Sequence, residues 1–295
     1  MKAAIVAALL VAASSAATQS MPTPGEILAS APAADWQAVP AEDLLLLEFA
    51  GNRTLAIQLA PAFAPGHIAN IRKLVADGWF ERNAAIVRVQ ENYVVQWGDP
   101  SEKAPLPAGL IPSPDDGYER AGEAPGYHPL PYRDAYASSI GHAGGWPIAA
   151  DGKAHWLPHC PAMLGVGRNM APDTGSGAEL YVVIGHGPRH LDRNIALVGR
   201  VLEGMENISA LPRGTGPLGM YEKPEQRVPL VQARFAGSLP PAERPHFEVL
   251  KSESASFARW IQARANRKDA FFIGPAGGAD LCNLMPPVRR SDQLK

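Results

Sequence analysis

The sequence predicts a mainly β chain: an antiparallel barrel with helices at its ends, interrupted by a long loop insertion and followed by a C-terminal helical extension. Three observations carry that expectation. First, two apolar runs, LLLLEFA (Leu44 to Ala50) and TLAIQLA (Thr54 to Ala60), flank Gly51-Asn52-Arg53, the composition of a tight hairpin turn. Second, the later apolar runs AAIVRV, NYVVQW, MLGVGR and ELYVVIG are short and strand-like. Third, 28 Gly and 29 Pro among 295 residues, with proline at about twice its usual share, leave little scope for an all-helical bundle and favour long irregular connections. With 46% hydrophobic and 19% charged residues the chain can bury a substantial core.

Taken in order, MKAAIVAALLVAASSAA puts one Lys before an apolar run from Ala3 to Ala13 and then small residues, which reads as a secretory signal over residues 1–17, cleaved after Ala16 or Ala17. An uncleaved anchor is the rival, but the run is shorter than the roughly 20 apolar residues that span a bilayer. Once the signal is cleaved, no stable membrane insertion is expected. Residues 18–40, rich in Pro, Ala and Ser, read as a linker or loosely docked arm. The folded domain is expected over 41–221. After Pro65, Ile68, Ile71, Leu74 and Val75 recur at helical spacing and Gly78 supplies a stop, so an amphipathic helix should pack on the sheet. Two strands follow, at Ala84 to Val89 and Asn92 to Trp97.

Periodicity then dissolves over about 101–162 into Pro, Gly, Tyr and His. This stretch reads as a decorated insertion with too few apolar residues in register for a core of its own. Strands resume at Met163 to Arg168 and Glu179 to Gly185, and Asn194 to Ile208 reads as a strand running into a short helix. Residues 222–295 are expected to be a C-terminal extension. In it Ser254 caps a helix with Phe257, Trp260, Ile261 and Arg264 on one face, docking on the barrel. Cys160 and Cys282, the only cysteines, would either join that extension to the middle of the chain by a disulfide, as export permits, or lie buried as free thiols.

A formal charge of −2 supplies no positive excess for phosphates, so nucleic acid is not an expected partner. Two His pairs, His155/His159 and His186/His190, have the offset of helical metal ligands, but Pro158 and Gly187-Pro188 break both helices, and no metal or other cofactor is expected. GVGRNMAPDTGSG lacks the third glycine of a dinucleotide fingerprint and carries Pro172 where the helix should run.

The motifs are more specific than the topology. VRVQENYVVQWGDP (Val87 to Pro100) resembles the cyclophilin segment FHRVxPxFxxQGGDP, with Arg88, Tyr93, Val94, Gln96, Gly98 and Asp99 at matching positions. MLGVGRNMAPDTGSGAELYVVIG is similar to LSMANxxPxTxGSQFFI, and PRHLDRNIALVGRVLEGME to WLDGKHxVFGxVxEGM; the helix after Pro65 matches the family's helix in its Pro, Asn and apolar spacing. Together these matches run from about Leu44 to Ile208, leaving out the insertion. The resemblance implies a closed, eight-stranded antiparallel barrel capped by helices and peptidyl-prolyl cis-trans isomerase activity, with proline-containing polypeptides as partners. An exported, periplasmic monomer is the expected setting.

The resemblance also implies roles. Arg88 and Gln96 would be catalytic; Tyr93, Val94, Gly167, Arg168, Tyr181, His190 and Leu191 would bind substrate. An X-Pro bond rotates without covalent chemistry, so a fixed, permanently charged guanidinium donating to the prolyl nitrogen suits it, and Gln96 would hold Arg88 in place. The chain departs from the pattern at His190, where the groove tryptophan stands in the family, at Ile195 for its histidine, at Arg168 for its asparagine and at Gly167 for its alanine. Losing the indole donor predicts weak inhibition by cyclosporin, and a low-nanomolar constant in an inhibition titration would sink that expectation. A proline-binding chaperone or scaffold with little turnover is the rival reading.

Overall fold

The computed structural model describes residues 22–268 and 271–293; the signal segment expected at residues 1–17 lies outside the described residues. The hairpin forms where its pattern places it. Strand β1 (Leu44–Phe49) pairs with β2 (Arg53–Leu59) in register from Leu44↔Gln58 to Phe49↔Arg53. Three residues, Ala50 to Asn52, join the strands, and Gly51 (φ +83°) and Asn52 (φ +58°) both take the left-handed conformation that reverses the chain there and that Gly and Asn accept at least cost. The helix Pro65–Asp77 begins on a proline, whose missing N–H is free of cost there, and ends at Gly78 in the αL conformation (φ 67°). It buries Ile68, Ile71 and Leu74, and a further short helix, Trp79–Asn83, follows at once.

The remaining barrel strands are β3 (Ala85–Val89), β4 (Val94–Gly98), β5 (Met163–Val166), β6 (Leu180–Val183), β7 (Leu197–Glu203) and β8 (Val228–Phe235). Their order round the closed barrel is β5-β6-β4-β3-β8-β1-β2-β7, antiparallel throughout, and β7 returns to β5. The expected eight-stranded closed barrel is therefore present. Alternation does the sorting. Val95, Trp97, Leu180 and Val182 point into the main core, whereas Val94, Tyr181 and Val183 point outward into a second cluster.

Three features differ from the sequence expectation. The eighth strand, which closes the barrel between β1 and β3, lies beyond residue 221, inside what the sequence presented as an extension. VPLVQARF has Pro229 near its start and only Leu230 and Ala233 buried, so one face is solvent-facing and the apolar signal is weak. The insertion is not a bare loop. Its strands at Arg120–Ala121, Ala154–Trp156, Trp146–Ala150, Ser139–Ala143 and His128–Pro129 form, in that order, an antiparallel sheet. That sheet buries Ile148, Leu157 and Cys160 against the outward faces of β4, β5, β6 and β7, so its core is shared with the barrel. Finally, part of the segment read as an arm is structured. The helix Pro24–Ala29 and the strand Trp36–Ala38 bury Ile27 and Trp36 against the helix Ala255–Ala265, and Trp36–Ala38 forms a three-stranded sheet with Phe247–Leu250 and Val288–Arg290. Cys160 and Cys282 are joined by a disulfide. Among the described residues no helix is long and apolar enough to cross a membrane.

The turn after β4 is organised by Asp99. Its carboxylate accepts from the backbone N–H groups of Ser101 (2.9 Å), Lys103 (2.8 Å) and Ala104 (2.7 Å) and from the Ser101 hydroxyl. Slight burial works against the charge, but these donors outweigh it and hold the carboxyl down at about 2, below the ordinary 3.8. A depressed acid stabilises the fold above its unfolded pKa and loses that contribution as pH falls through the folded one. Stability should therefore decline between about pH 4 and about pH 2. In Asp99→Asn, urea unfolding at those two pH values should show a smaller difference than in the wild type; an unchanged difference would rule Asp99 out as a contributor.

Candidate functional site

The outward faces of β3 and β4 place the first two site residues opposite one another, Arg88 across from Gln96, just past a register shift that follows Ile86. Arg88 is held on several sides. Its Nη1 donates to Gln96 Oε1 (2.8 Å), its Nε to the Leu218 carbonyl (2.7 Å) and its Nη2 to Gln90 Oε1. The guanidinium also lies 5.5 Å from the centroid of the Tyr93 ring. A guanidinium has five N–H donors, so these contacts leave one on each Nη for a ligand. Burial lowers the Arg88 pKa, with Tyr93 and Glu179 working the other way, and the group remains a cation at neutral pH.

Gln96 in turn donates its Nε2 to Glu179 Oε1, which fixes the amide so that its oxygen faces Arg88. Burial raises the Glu179 pKa, and the Gln96 hydrogen bond opposes that rise. Glu179 stands where the quoted pattern GSQFFI has its Gln, the one signal in the sequence that could have singled it out.

Arg88, Gln90, Gln96 and Leu218 line a groove of about 460 Å³. One side of it is apolar, from Val94, Tyr181, Leu191 and Ile195, and Tyr93 flanks the guanidinium. Gly167 and Arg168 form an edge, with the Arg168 guanidinium donating to the Asn194 carbonyl (3.1 and 2.9 Å) and to Asn169 (2.7 Å), so its cationic end is engaged with backbone. A methyl group at Gly167 would come within 2.8 Å of the Glu179 side chain, so the glycine makes room for the acid.

Of the residues expected from sequence, Arg88, Gln96, Tyr93, Val94, Gly167, Arg168, Tyr181 and Leu191 meet in this one groove, and His190 does not line it. Its ring stacks on Tyr93 (centroids 5.8 Å apart, 26° between planes), its Nε2 is 3.2 Å from the Tyr93 hydroxyl and its Nδ1 2.8 Å from the Gly187 carbonyl, so it props the aromatic wall from outside. Leu218 and Gln90 were not anticipated. Leu218 reaches Arg88 across 130 residues of chain from an irregular segment, and no local pattern announces that.

The histidines weighed as metal ligands point elsewhere: His155 Nδ1 lies 2.8 Å from the Gly122 carbonyl, and His159 Nδ1 3.1 Å from Asp192. His186, Asp280 and Cys282 bring one ligand atom each within 4.8 Å of one another, but the Cys282 sulfur is in the disulfide and cannot act as a thiolate.

Three comparisons bear on this arrangement. The family model described as cyclophilin type peptidyl-prolyl cis-trans isomerase/CLD matches residues 44–235, which includes all eight strands of the barrel. Two relatives named as probable peptidyl-prolyl cis-trans isomerases, from Brucella suis biovar 1 (strain 1330) and Brucella melitensis biotype 1 (strain ATCC 23456 / CCUG 17765 / NCTC 10094 / 16M), are each 25% identical over 161 residues, covering 55% of this chain and 67% of theirs. The crystal structure of cyclophilin AquaCyp293 from Hirschia baltica superposes with a TM-score of 0.66 at 24% identity, over 86% of this chain and 92% of that one, a likeness of fold.

Proposed function

Given that the chain belongs to the cyclophilin-type peptidyl-prolyl cis-trans isomerases, we propose that it turns over X-Pro bonds of exported proteins in the groove around Arg88, as a monomer in the periplasm. The observation that carries this reading is the pinned guanidinium: three of its donors are engaged by Gln96, Gln90 and Leu218, and the other two are open to a groove with one apolar side.

The barrier to be lowered is amide resonance, about 18–20 kcal/mol. As the C–N bond rotates, the prolyl nitrogen becomes pyramidal and gains a lone pair, and an Arg88 N–H donates to it. The donation strengthens as the lone pair develops, so it favours the transition state over the ground state. An acceleration of about 10⁵ requires roughly 7 kcal/mol, and a hydrogen bond from a charged group contributes about 1.5–3. The remainder falls to the socket of Val94, Tyr181, Leu191 and Ile195, which grips the proline ring while the flanking peptide turns. Gln96, oriented by Glu179, keeps the guanidinium from swinging into solvent. The disulfide supports the exported setting, because such bonds persist in oxidising compartments.

A peptide isomerisation assay tests the reading, since a wild-type protein that left the uncatalysed relaxation of an X-Pro peptide unchanged would refute it. His190 standing against Tyr93 instead of lining the groove favours the second reading, a proline-binding scaffold. That reading predicts saturable peptide binding without acceleration.

A further inference from the structure

Behind the groove lies a buried polar chain that the reaction as described does not use. The ring of Tyr181 forms part of the groove wall, and its hydroxyl is 2.9 Å from His159 Nε2. His159 Nδ1 is 3.1 Å from Asp192 Oδ1, which also accepts the His159 backbone N–H at 2.7 Å. Asp192 Oδ2 accepts from Arg189 Nε (3.1 Å) and Trp156 Nε1 (3.4 Å), and Arg189 completes a two-pronged pair with Asp134 (3.0 and 2.8 Å). His159 and Arg189 are fully buried.

The proton positions follow from the partners. The Asp192 carboxylate can only accept, so His159 carries its proton on Nδ1 and presents a bare Nε2. Burial keeps the imidazole and the Tyr181 phenol neutral, so the phenol O–H donates to Nε2, away from the groove. What the groove meets is an apolar ring whose far end is tethered.

An apolar wall needs no hydroxyl, and the quoted family pattern has Phe at this place. A buried hydroxyl is costly unless partnered, and here a His–Asp pair is supplied for it. The neighbouring strand is matched to the tyrosine as well: a methyl group on Gly165 would sit 2.3 Å from the Tyr181 hydroxyl, where the family pattern has Ser. His159 and Asp134 come from the insertion, and the residue after His159 is Cys160 of the disulfide.

We propose that His159, oriented by Asp192, is a positioning residue that acts through the Tyr181 hydroxyl to hold the tyrosine ring as a fixed wall of the proline socket, so that the insertion builds the back of the active groove. This rests on the isomerase reading of the groove.

Asparagine and glutamine separate the two ends of the histidine. His159→Asn keeps an N–H near Nδ1 for Asp192 and loses the contact to Tyr181, whereas His159→Gln places its amide near Nε2 and keeps that contact. His159→Asn and Tyr181→Phe should each lower kcat/KM by about fivefold to tenfold, the size of one hydrogen bond. KM should carry the larger part, because the wall grips proline in ground and transition states alike. His159→Gln should recover most of the loss, and His159→Asn added to Tyr181→Phe should cost nothing further. The proposal is overturned if His159→Asn lowers only the melting temperature, if Gln and Asn behave alike, or if the double variant shows the two losses added.

A second readout does not depend on turnover: a slowly exchanging Tyr181 hydroxyl proton, seen by NMR in the wild type and His159→Gln and lost in His159→Asn. Should the wild type fail to accelerate isomerisation, the isomerase reading falls, while this proton and the affinity of each variant for a proline peptide still decide the role of His159.

Discussion

Arg88→Ala should lower kcat/KM for an X-Pro peptide by about 10²-fold, the upper part of what one hydrogen bond from a charged group supplies and the lower end of the range seen when one transition-state donor is removed from a prepared site. The size follows from the geometry. The lost group is charged, its orientation is fixed by Gln96, Gln90 and the Leu218 carbonyl, and it faces a groove with one apolar side, where a hydrogen bond is worth more than in water. Lysine should not rescue it. An ammonium offers a point charge in place of a planar fork and cannot engage three acceptors while keeping donors for the substrate, so Arg88→Lys should remain at least about tenfold below wild type. Because Arg88 is only half-buried at the barrel surface, the melting temperature of both variants should stay close to that of the wild type, and this control separates catalysis from folding. Equal rates for wild type and Arg88→Ala would remove Arg88 from the mechanism.

Replacing both disulfide cysteines, Cys160→Ser with Cys282→Ser, should cost about 4 kcal/mol of stability. The bond closes a span of 122 residues, and restricting a loop of that length in the unfolded chain is worth about 4 to 5 kcal/mol in the chain-entropy account, with 2–5 typical of native disulfides. For a domain of this size such a loss lowers the melting temperature by about 10 °C. The cost is not only entropic. Cys160 is fully buried in the cluster shared by the insertion and the barrel wall, next to His159, and Cys282 anchors the C-terminal segment. Coincident melting curves for the wild type and the double variant would refute a structural role, as would coincident curves for oxidised and reduced protein.

Much of the barrel was legible because its strands are encoded locally. The hairpin announces itself by two apolar runs around Gly51-Asn52, and the helix Pro65–Asp77 by its apolar spacing and its glycine stop. Arg88 and Gln96 were legible as well. Gln96 keeps the alternation of its strand, between the inward Val95 and Trp97, whereas Arg88 turns outward two residues after the inward Ile86 because the register shifts between them, so the motif and not simple alternation marked it. What could not be read is what depends on partners far along the chain. Strand β8 carries a proline and buries only two of its apolar side chains, so it became a strand by filling the gap between β1 and β3. The insertion strands are two to five residues long and interrupted by Gly and Pro, and they gain order from the barrel wall on which they pack. His190 stands at the motif position expected to line the groove, but its ring turns to Tyr93, a choice made by local packing.

By itself, then, the sequence marked seven of the eight barrel strands and the helix Pro65–Asp77, the motif that carries Arg88 and Gln96 and the apolar character of their surroundings, because propensity, periodicity and turn chemistry act over a few neighbouring residues. The tertiary structure alone decided the closure by β8 and the union of Cys160 with Cys282. It also decided the approach of the Leu218 carbonyl to Arg88 and the burial of His159 and Asp192 behind Tyr181. Each of these joins groups that only packing brings together, and its energy comes from the burial and pairing that packing makes available.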